Sequence, residues 1–506
     1  MGATGGRAPL RVVWALAATC TGAALLAAVA YSIAALPVRP LDGVEGEVLY
    51  EAARLRAGLP LYTDPIAGAF DHGPVPARFF VLYPPLWSFL LSLVPGAARV
   101  LAGRIAACAA WFGTLAYLAW RAPAPHRRVA CVAAAFAGGI FTLALFGSAA
   151  RPDAWAVALA AVALDRATRR GTLDSACGAL FAGAALVKPN VLGIAAGVLV
   201  AGVWIDRRGT LRAVAAGLLV GCAAALVLQR ASHGAWMDHL VLSTGQPLSL
   251  EVWRQQALWR LQFVGAPLAL ALVAGWRARS DVSVAIALAG LVASVAWALV
   301  SLAKIGAASN YWMEPALAAV VVVSRAGLSP PTCPQARPKG ESGRHVRTGP
   351  RAACLFAGAA LFQAAWTGVG SVRSSIEAIG LARRHRDLVD GARAACGAEP
   401  GDVVLADEPG LEVMLNGRLV STPFQMTHLI ERGRFPVGLW LADVRRPQVR
   451  CLLLEDDALE RPPRDASLAH DRFPPAILAA LRDRFALVAV NAAWRLYRAR
   501  DEAPVP

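Results

Sequence analysis

Five carboxylates crowd the stretch PVRPLDGVEGEVLYEAARLRAGLPLYTDP (37–65): Asp42, Glu45, Glu47, Glu51 and Asp64. They follow directly on a long apolar run, 12–36. A carboxylate fixed at such an edge is suited to draw a proton from a hydroxyl. Farther along, cations stand where other apolar runs begin or end: Arg151, Lys188 and Lys304, with His72 and Arg78 in a Gly/Pro-rich loop. Cations so placed are suited to stabilise an anion forming on a leaving group. Asp153 follows Arg151 closely, and Glu314, in NYWMEP, sits early in an apolar run where an unpartnered charge is costly. Each has a plainer use as well. Arg151 and Lys188 suit helix ends that snorkel, Asp153 suits a structural partner for Arg151, and the carboxylates suit a solvated loop.

The elements that must position these residues are membrane spans. Of 506 residues, 57% are hydrophobic and only 17% charged, and the mean hydropathy is +0.49, against roughly a quarter charged in soluble domains. The composition is that of a polytopic membrane protein. The net charge of +16 resides in short Arg clusters between apolar runs, the pattern of cytoplasmic loops, so no nucleic acid partner is expected. The run 12–36 is too long for a signal-peptide core and reads as an uncleaved anchor. Apolar runs follow at 98–120, 129–149, 154–165, 175–187, 191–205, 213–228, 258–275, 282–303, 311–324 and 352–370, about eleven spans in all. The run 79–95 is broken by Pro84 and Pro85 and is expected to lie along the surface. With the N-terminus cytoplasmic, Arg127/Arg128, Arg169/Arg170, Arg207/Arg208 and Arg277/Arg279 all fall inside. The acidic stretch, Arg151, Lys188, Lys304, the loop 229–256 and everything after 370 then fall outside. Asp42, Glu45, Tyr50 and Arg54 follow at helical spacing, with Leu49, Ala52, Ala53 and Leu55 as an apolar side, so a short amphipathic helix on the outer membrane surface is expected.

The expected fold is thus an α-helical polytopic membrane protein with a small α/β C-terminal extracytoplasmic domain. The transmembrane unit covers 1–370 and its outer-face loop, 37–97, carries juxtamembrane helices. A basic cytoplasmic linker covers 326–351 and the exported domain 371–506. In the domain, 375–395 reads as an amphipathic helix, 402–407 and 449–455 as strands, 422–433 and 473–485 as helices and 486–499 as a closing strand. Cys396 and Cys451 fall there and pair only if their geometry allows. No zinc-protease or P-loop motif occurs. Asp42 and Glu45 leave a divalent cation open as an option, but two carboxylates make a thin cage and no cofactor is expected to be required.

Four places carry a family resemblance: EGEVLYEAARLRAGLPLYTDP followed by YPPLWSFLL, ARPDAWAVALAAVAL, ALVKPN, and ASNYWMEPALA. On these the chain resembles the GT-C glycosyltransferases, nearest in pattern to the protein O-mannosyltransferase and lipid A aminoarabinose transferase group and its bacterial cousins. The resemblance implies a multi-pass enzyme of the bacterial inner membrane that takes sugar from a polyprenyl-phosphate lipid on the outer face and passes it to an acceptor, here unidentified. It implies a carboxylate of the first outer loop as general base or acceptor-orienting group, with Glu45 preferred and Asp42 second. Tyr83 stands where better-known members have Lys or His before the Pro-Pro pair, which weakens that loop as a phosphate ligand. The chemistry itself asks for a base on the acceptor hydroxyl, positive charge at the leaving phosphate and an apolar groove. Arg151, Lys188, Lys304 and Arg78 are the expected phosphate ligands. Asp153, Asn310, Tyr311, Glu314, Tyr50 and Tyr83 are the expected pocket, although aromatic residues here equally suit an interfacial belt. A secondary transporter or a non-catalytic membrane scaffold remains the alternative; no internal repeat of the transporter kind is visible.

Overall fold

Apolar runs with no water to satisfy their backbone become helices, and the computed structural model is helical throughout its membrane-facing part. It describes residues 7–64, 66, 79–244, 246–327, 350–455, 457, 459–460, 473–491 and 494–500. The helices are α1 Arg7–Ala35, α2 Gly43–Arg56, α3 Leu86–Ser92, α4 Gly96–Arg121, α5 Arg127–Gly139, α6 Phe141–Gly147 and α7 Asp153–Arg170. Next come α8 Ser175–Val187, α9 Gly193–Ile205, α10 Arg207–Ala231, α11 Ala235–Thr244, α12 Leu250–Trp253, α13 Trp259–Arg277, α14 Val282–Ser301 and α15 Met313–Ala326. The last are α16 Pro350–Cys396, α17 Pro409–Asn416, α18 Pro423–Glu431, α19 Val437–Val444 and α20 Pro475–Arg484. The His72 and Arg78 positions, and most of the expected basic linker, lie outside the described residues.

Among the described residues, 4 helices are long and apolar enough to cross a membrane, or up to 6 if each bent pair is one span. The expected run 129–149 is one such pair: α5 and α6 meet at 77°. Helices α8 and α9 are apolar but only 13 residues each. They match the short runs foreseen in the sequence, and α9 lies hard against α14: a Cβ on Gly197 would stand 2.1 Å from the Ala289 carbonyl oxygen. Small residues are what allow backbones to approach so closely where both helices are equally apolar. The expected surface segment contains α3, which starts after Pro85 and spans 7 residues, too few to cross.

Two expectations for the C-terminal part change. The span 352–370 and the amphipathic helix after it are one continuous helix, α16, of 47 residues, because no Pro interrupts the sequence between them. The expected closing strand 486–499 is a hairpin, β3 Phe485–Asn491 and β4 Trp494–Ala499. Together with β1 Val403–Ala406 and β2 Val449–Leu454 it forms a sheet of order β1-β2-β4-β3. β1 runs parallel to β2, with Val404 opposite Cys451; β4 is antiparallel to both β2 and β3. The parallel pair needs a crossover, and α17, α18 and α19 supply it. Cys396, ending α16, and Cys451 on β2 are joined, with Cα atoms 6.0 Å apart.

The domain is seated directly on α2. A Cβ on Gly46 would stand 2.2 Å from Gly410 Cα, and one on Gly410 would stand 2.3 Å from the Asp42 carbonyl oxygen. Only glycine at both places lets α2 and the start of α17 touch backbone to backbone. The Leu41 N–H donates to Met414 Sδ at 3.3 Å across the same seam. Farther along, the Phe424 ring of α18 fills the space over Gly306, where φ is +78°. Replacing Gly46 by Val is expected to destabilise the folded protein by about 1–3 kcal/mol through overpacking, read as a fall in the detergent-solubilised protein's thermal midpoint. Val in place of Gly58, which has nothing near it but a φ of +69°, is expected to leave the α2–α17 seam intact.

Candidate active site

Asp42 begins the site. The chain leaves α1 through Pro37, Val38 and Arg39, and Asp42 then caps α2: its Oδ1 accepts from the Glu45 N–H at 2.8 Å. This is what an N-terminal carboxylate does for the unpaired amides of a first turn. Its Oδ2 faces Arg151 Nη1 at 3.3 Å, and the side chain keeps 39% of its exposure.

Glu45 is placed otherwise. It has no exposure at all. Arg104 of α4 grips it with two hydrogen bonds, Nε to Oε1 and Nη2 to Oε2, each 2.7 Å. The Ala150 N–H donates to Oε1 at 2.7 Å, and Arg39 Nη2 stands 3.7 Å away. Burial alone would raise its pKa, but Arg104, then Arg39 and the Ala150 amide, outweigh it and hold the carboxyl at about 2. Arg104 also donates to the Leu36 carbonyl at 2.7 Å. The Arg104–Glu45 pair thus ties the end of α1, the first turn of α2 and the segment before α7 to α4. The signal for Arg104 was present in the sequence, as the one Arg in the middle of the run 98–120, and intramembrane charge is the feature that marks such residues.

Arg151 and Lys188 share Asp153. Arg151 Nε lies 3.0 Å from Asp153 Oδ2, and Lys188 Nζ pairs with Oδ1. Asn310 Nδ2 donates to the same Oδ1 at 2.5 Å. The Lys188 ammonium lies 5.3 Å from the Tyr83 ring centroid and 5.7 Å from that of Tyr311, within cation–π reach. The Tyr311 hydroxyl accepts from Asn190 Nδ2 at 2.8 Å. Asn190, the last residue of the ALVKPN motif, was not among the expected site residues. The carboxamide oxygens of Asn190 and Asn310 have no hydrogen-bond partner among the described residues.

Lys304 lies in the turn after α14 and makes no side-chain ion pair or hydrogen bond among the described residues. Burial, followed by the nearby charges of Lys188 and Arg432, lowers its pKa to about 8. It is therefore the surplus positive charge beside a network whose other charges largely cancel.

Asp42, Arg151, Asp153, Lys188, Tyr83, Asn310 and Tyr311 are thus brought together by the ends of α2, α7, α8 and α15 on one side of the bundle, with Lys304 close by. Glu314 points elsewhere: its Oε1 accepts from the Ile194 N–H at 2.7 Å, capping α9, which has no side-chain cap of its own. Tyr50 packs with Phe79 in a separate apolar cluster. Arg78 lies outside the described residues. Among the described residues no group of three or more His, Cys, Asp or Glu is arranged to hold a metal ion.

No protein-family model and no curated protein matches the chain. Solved structures do, among them two of ArnT from Cupriavidus metallidurans. The one bound to undecaprenyl phosphate is 13% identical, with a TM-score of 0.55 over 95% of this chain and 98% of that one. The apo structure is 13% identical, with a TM-score of 0.54 over 94% and 96%. The likeness is one of fold, and it extends from the helical bundle through the C-terminal domain. The pairing at Glu45 makes its own demand. Arg104→Ala leaves a buried carboxylate without its partner and is expected to cost about 3–5 kcal/mol of stability, measured by thermal unfolding in detergent. Pairing that change with Glu45→Leu is expected to recover much of the loss.

Proposed function

We propose, from the GT-C fold shared with ArnT, that this chain is a glycosyltransferase of the bacterial inner membrane. It takes a sugar from a polyprenyl-phosphate-linked donor and delivers it to an acceptor hydroxyl on the extracytoplasmic face, with the N-terminus cytoplasmic and the C-terminal domain outside. The observation that carries this reading is the charge arrangement at one end of the bundle. A half-exposed carboxylate, Asp42, stands beside Arg151, and Lys304, an ammonium without a counter-ion among the described residues, lies near Lys188.

Between the two expected bases, the geometry favours Asp42. Glu45 already accepts three close hydrogen bonds, two of them from a guanidinium, so it is poorly placed to receive a proton from an acceptor. Asp42 spends one oxygen on the α2 cap and presents the other toward Arg151 and solvent. Glu45 then serves as the anchor that fixes Asp42's helix. Lys304 is the principal phosphate ligand in this reading. Its charge lacks a partner among the described residues and gains one in the bound lipid phosphate, whose negative charge grows as the bond to the sugar breaks. Lys188 and Arg151 supply further positive field while remaining fixed by Asp153. An apolar cleft among α1, α5, α13 and α15, lined by Phe136, Leu268 and Val320 among others, supports binding of a polyprenyl chain. No metal is required in this scheme.

Incubation of purified protein with radiolabelled polyprenyl-phosphate sugars is expected to release label from the lipid phase. Asp42→Asn is expected to slow that release about 10²–10⁴-fold, the range for loss of a positioned base. Retention of full activity by Asp42→Asn would remove Asp42 from this role. The lowered pKa of Lys304 predicts a second signature. Its ammonium is present below about pH 8 and is lost above it, so kcat/KM should fall on the alkaline side of that value. Lys304→Arg, charged throughout, is expected to abolish the alkaline limb.

A further inference from the structure

Across the seam between α2 and the C-terminal domain lies a polar pair whose heavy atoms are only half matched. Gln425 of α18 donates from Nε2 to Glu47 Oε1 at 3.3 Å. Among the described residues Glu47 Oε2 and Gln425 Oε1 are both without a hydrogen-bond partner, and the residues are 2% and 4% exposed. A carboxamide offers donors at one atom and an acceptor at the other, whereas an ionised carboxylate offers only acceptors. A carboxylic acid offers one of each. A single proton on Glu47 Oε2 therefore gives the pair complementary groups on both sides.

We propose that Glu47 is a positioning residue that holds the C-terminal domain on α2 in its protonated form, as a carboxylic acid–carboxamide pair with Gln425, and releases that hold when ionised. The surroundings favour the acid. Burial pushes the Glu47 carboxyl well above its ordinary range, followed by the charge of Glu51 on the same helix, while the Gln425 hydrogen bond opposes them. Glu408, from the segment leading into α17, adds to the rise, and Arg151, from the segment before α7, opposes it. Glu51 is itself raised by burial to about 8. Glu408 is raised by burial and then by Glu455, Asp407 and Asp42. Carboxyls thus face Glu47 from both sides of the seam, and ionising it adds a buried anion among them.

The consequence reaches Asp42. Gly410 lies against Asp42's own carbonyl, and the Glu408 carboxylate lies over Gly43, so the domain forms one wall around the proposed base. That link to catalysis rests on the reading of Asp42 as base; the clasp itself is measured without any transfer reaction. The sign follows from the raised pKa. The stabilisation is complete below the ordinary carboxyl value and disappears as pH rises through the higher folded value.

Hydrogen exchange of the α18 amides in the full-length, detergent-solubilised protein tests the proposal over roughly pH 5 to pH 10. Comparing wild type with Glu47→Gln at each pH cancels the intrinsic pH dependence of exchange. Glu47→Gln keeps a neutral, two-sided partner for Gln425 at every pH. The two proteins are expected to exchange alike at the acid end, and wild type about ten-fold faster at the alkaline end. Gln425→Ala, which removes the partner, is expected to exchange fast at both ends. Coincidence of wild type and Glu47→Gln across the whole range would overturn the proposal, as would faster exchange in Glu47→Gln at the acid end. If the clasp holds in this assay while Asp42→Asn retains full transfer, the catalytic reading falls and the clasp stands.

Discussion

A carboxylate removed from water stays ionised only where donors replace its hydration, and Glu45 meets that condition through Arg104. The pair does more than satisfy a buried charge. The guanidinium reaches the last carbonyls of α1 while its fork holds α2, and the Ala150 amide brings the segment before α7 to the same carboxylate. The Ala150 carbonyl in turn accepts from Trp87 Nε1 of α3 at 3.0 Å. Four separately encoded pieces of chain therefore meet at one ion pair. The position of Asp42, one turn from it, is a consequence of that meeting.

Charge accounting then separates structural groups from groups left available. Asp153 is shared between Arg151 and Lys188, and Asp42 faces Arg151, so two carboxylates and two cations largely cancel within a buried network. Such a network fixes geometry more than it adds stability. Lys304 lies outside this cancellation, in the field of Lys188; burial, followed by like charge, lowers its pKa. In the proposed reaction this is the cation left available to an anionic headgroup.

Much of this was legible in the sequence because it was periodic or chemically loud. The acidic cap after the first apolar run, the Pro84-Pro85 break and the short apolar runs each correspond to an element found in the fold. Arg151 and Lys188, expected as phosphate ligands, and Asp153 and Tyr311, expected in the pocket, lie close together in the fold; each stood at the end of an apolar run. The different surroundings of Asp42 and Glu45 were not legible. Spacing places both in the first turn of a helix, but only the tertiary partner decides which one is consumed, and Arg104 lies 59 residues from Glu45. Glu314 illustrates the same limit: a lone carboxylate in an apolar run signals a partner but cannot say whether that partner is a ligand or, as here, the bare amides of another helix. The hairpin β3–β4 read as one strand because the alternation of apolar residues continues up to its turn.

The C-terminal domain has a reason to sit where it does. Its first helix after β1 begins Pro409-Gly410, and that glycine is needed not for its backbone angles but for the absence of a side chain against α2. Glu412, one turn later, is buried and accepts from the Val420 and Ser421 amides and the Ser421 hydroxyl at 2.8–2.9 Å. It fixes the segment leading into α18 and so sets Phe424 over Gly306 and Gln425 against Glu47. A domain that merely extended the chain outward would need neither contact. Because one face of it closes on the first turns of α2 and another on the turn bearing Lys304, a displacement of the domain changes the surroundings of the proposed base and of the proposed phosphate ligand together.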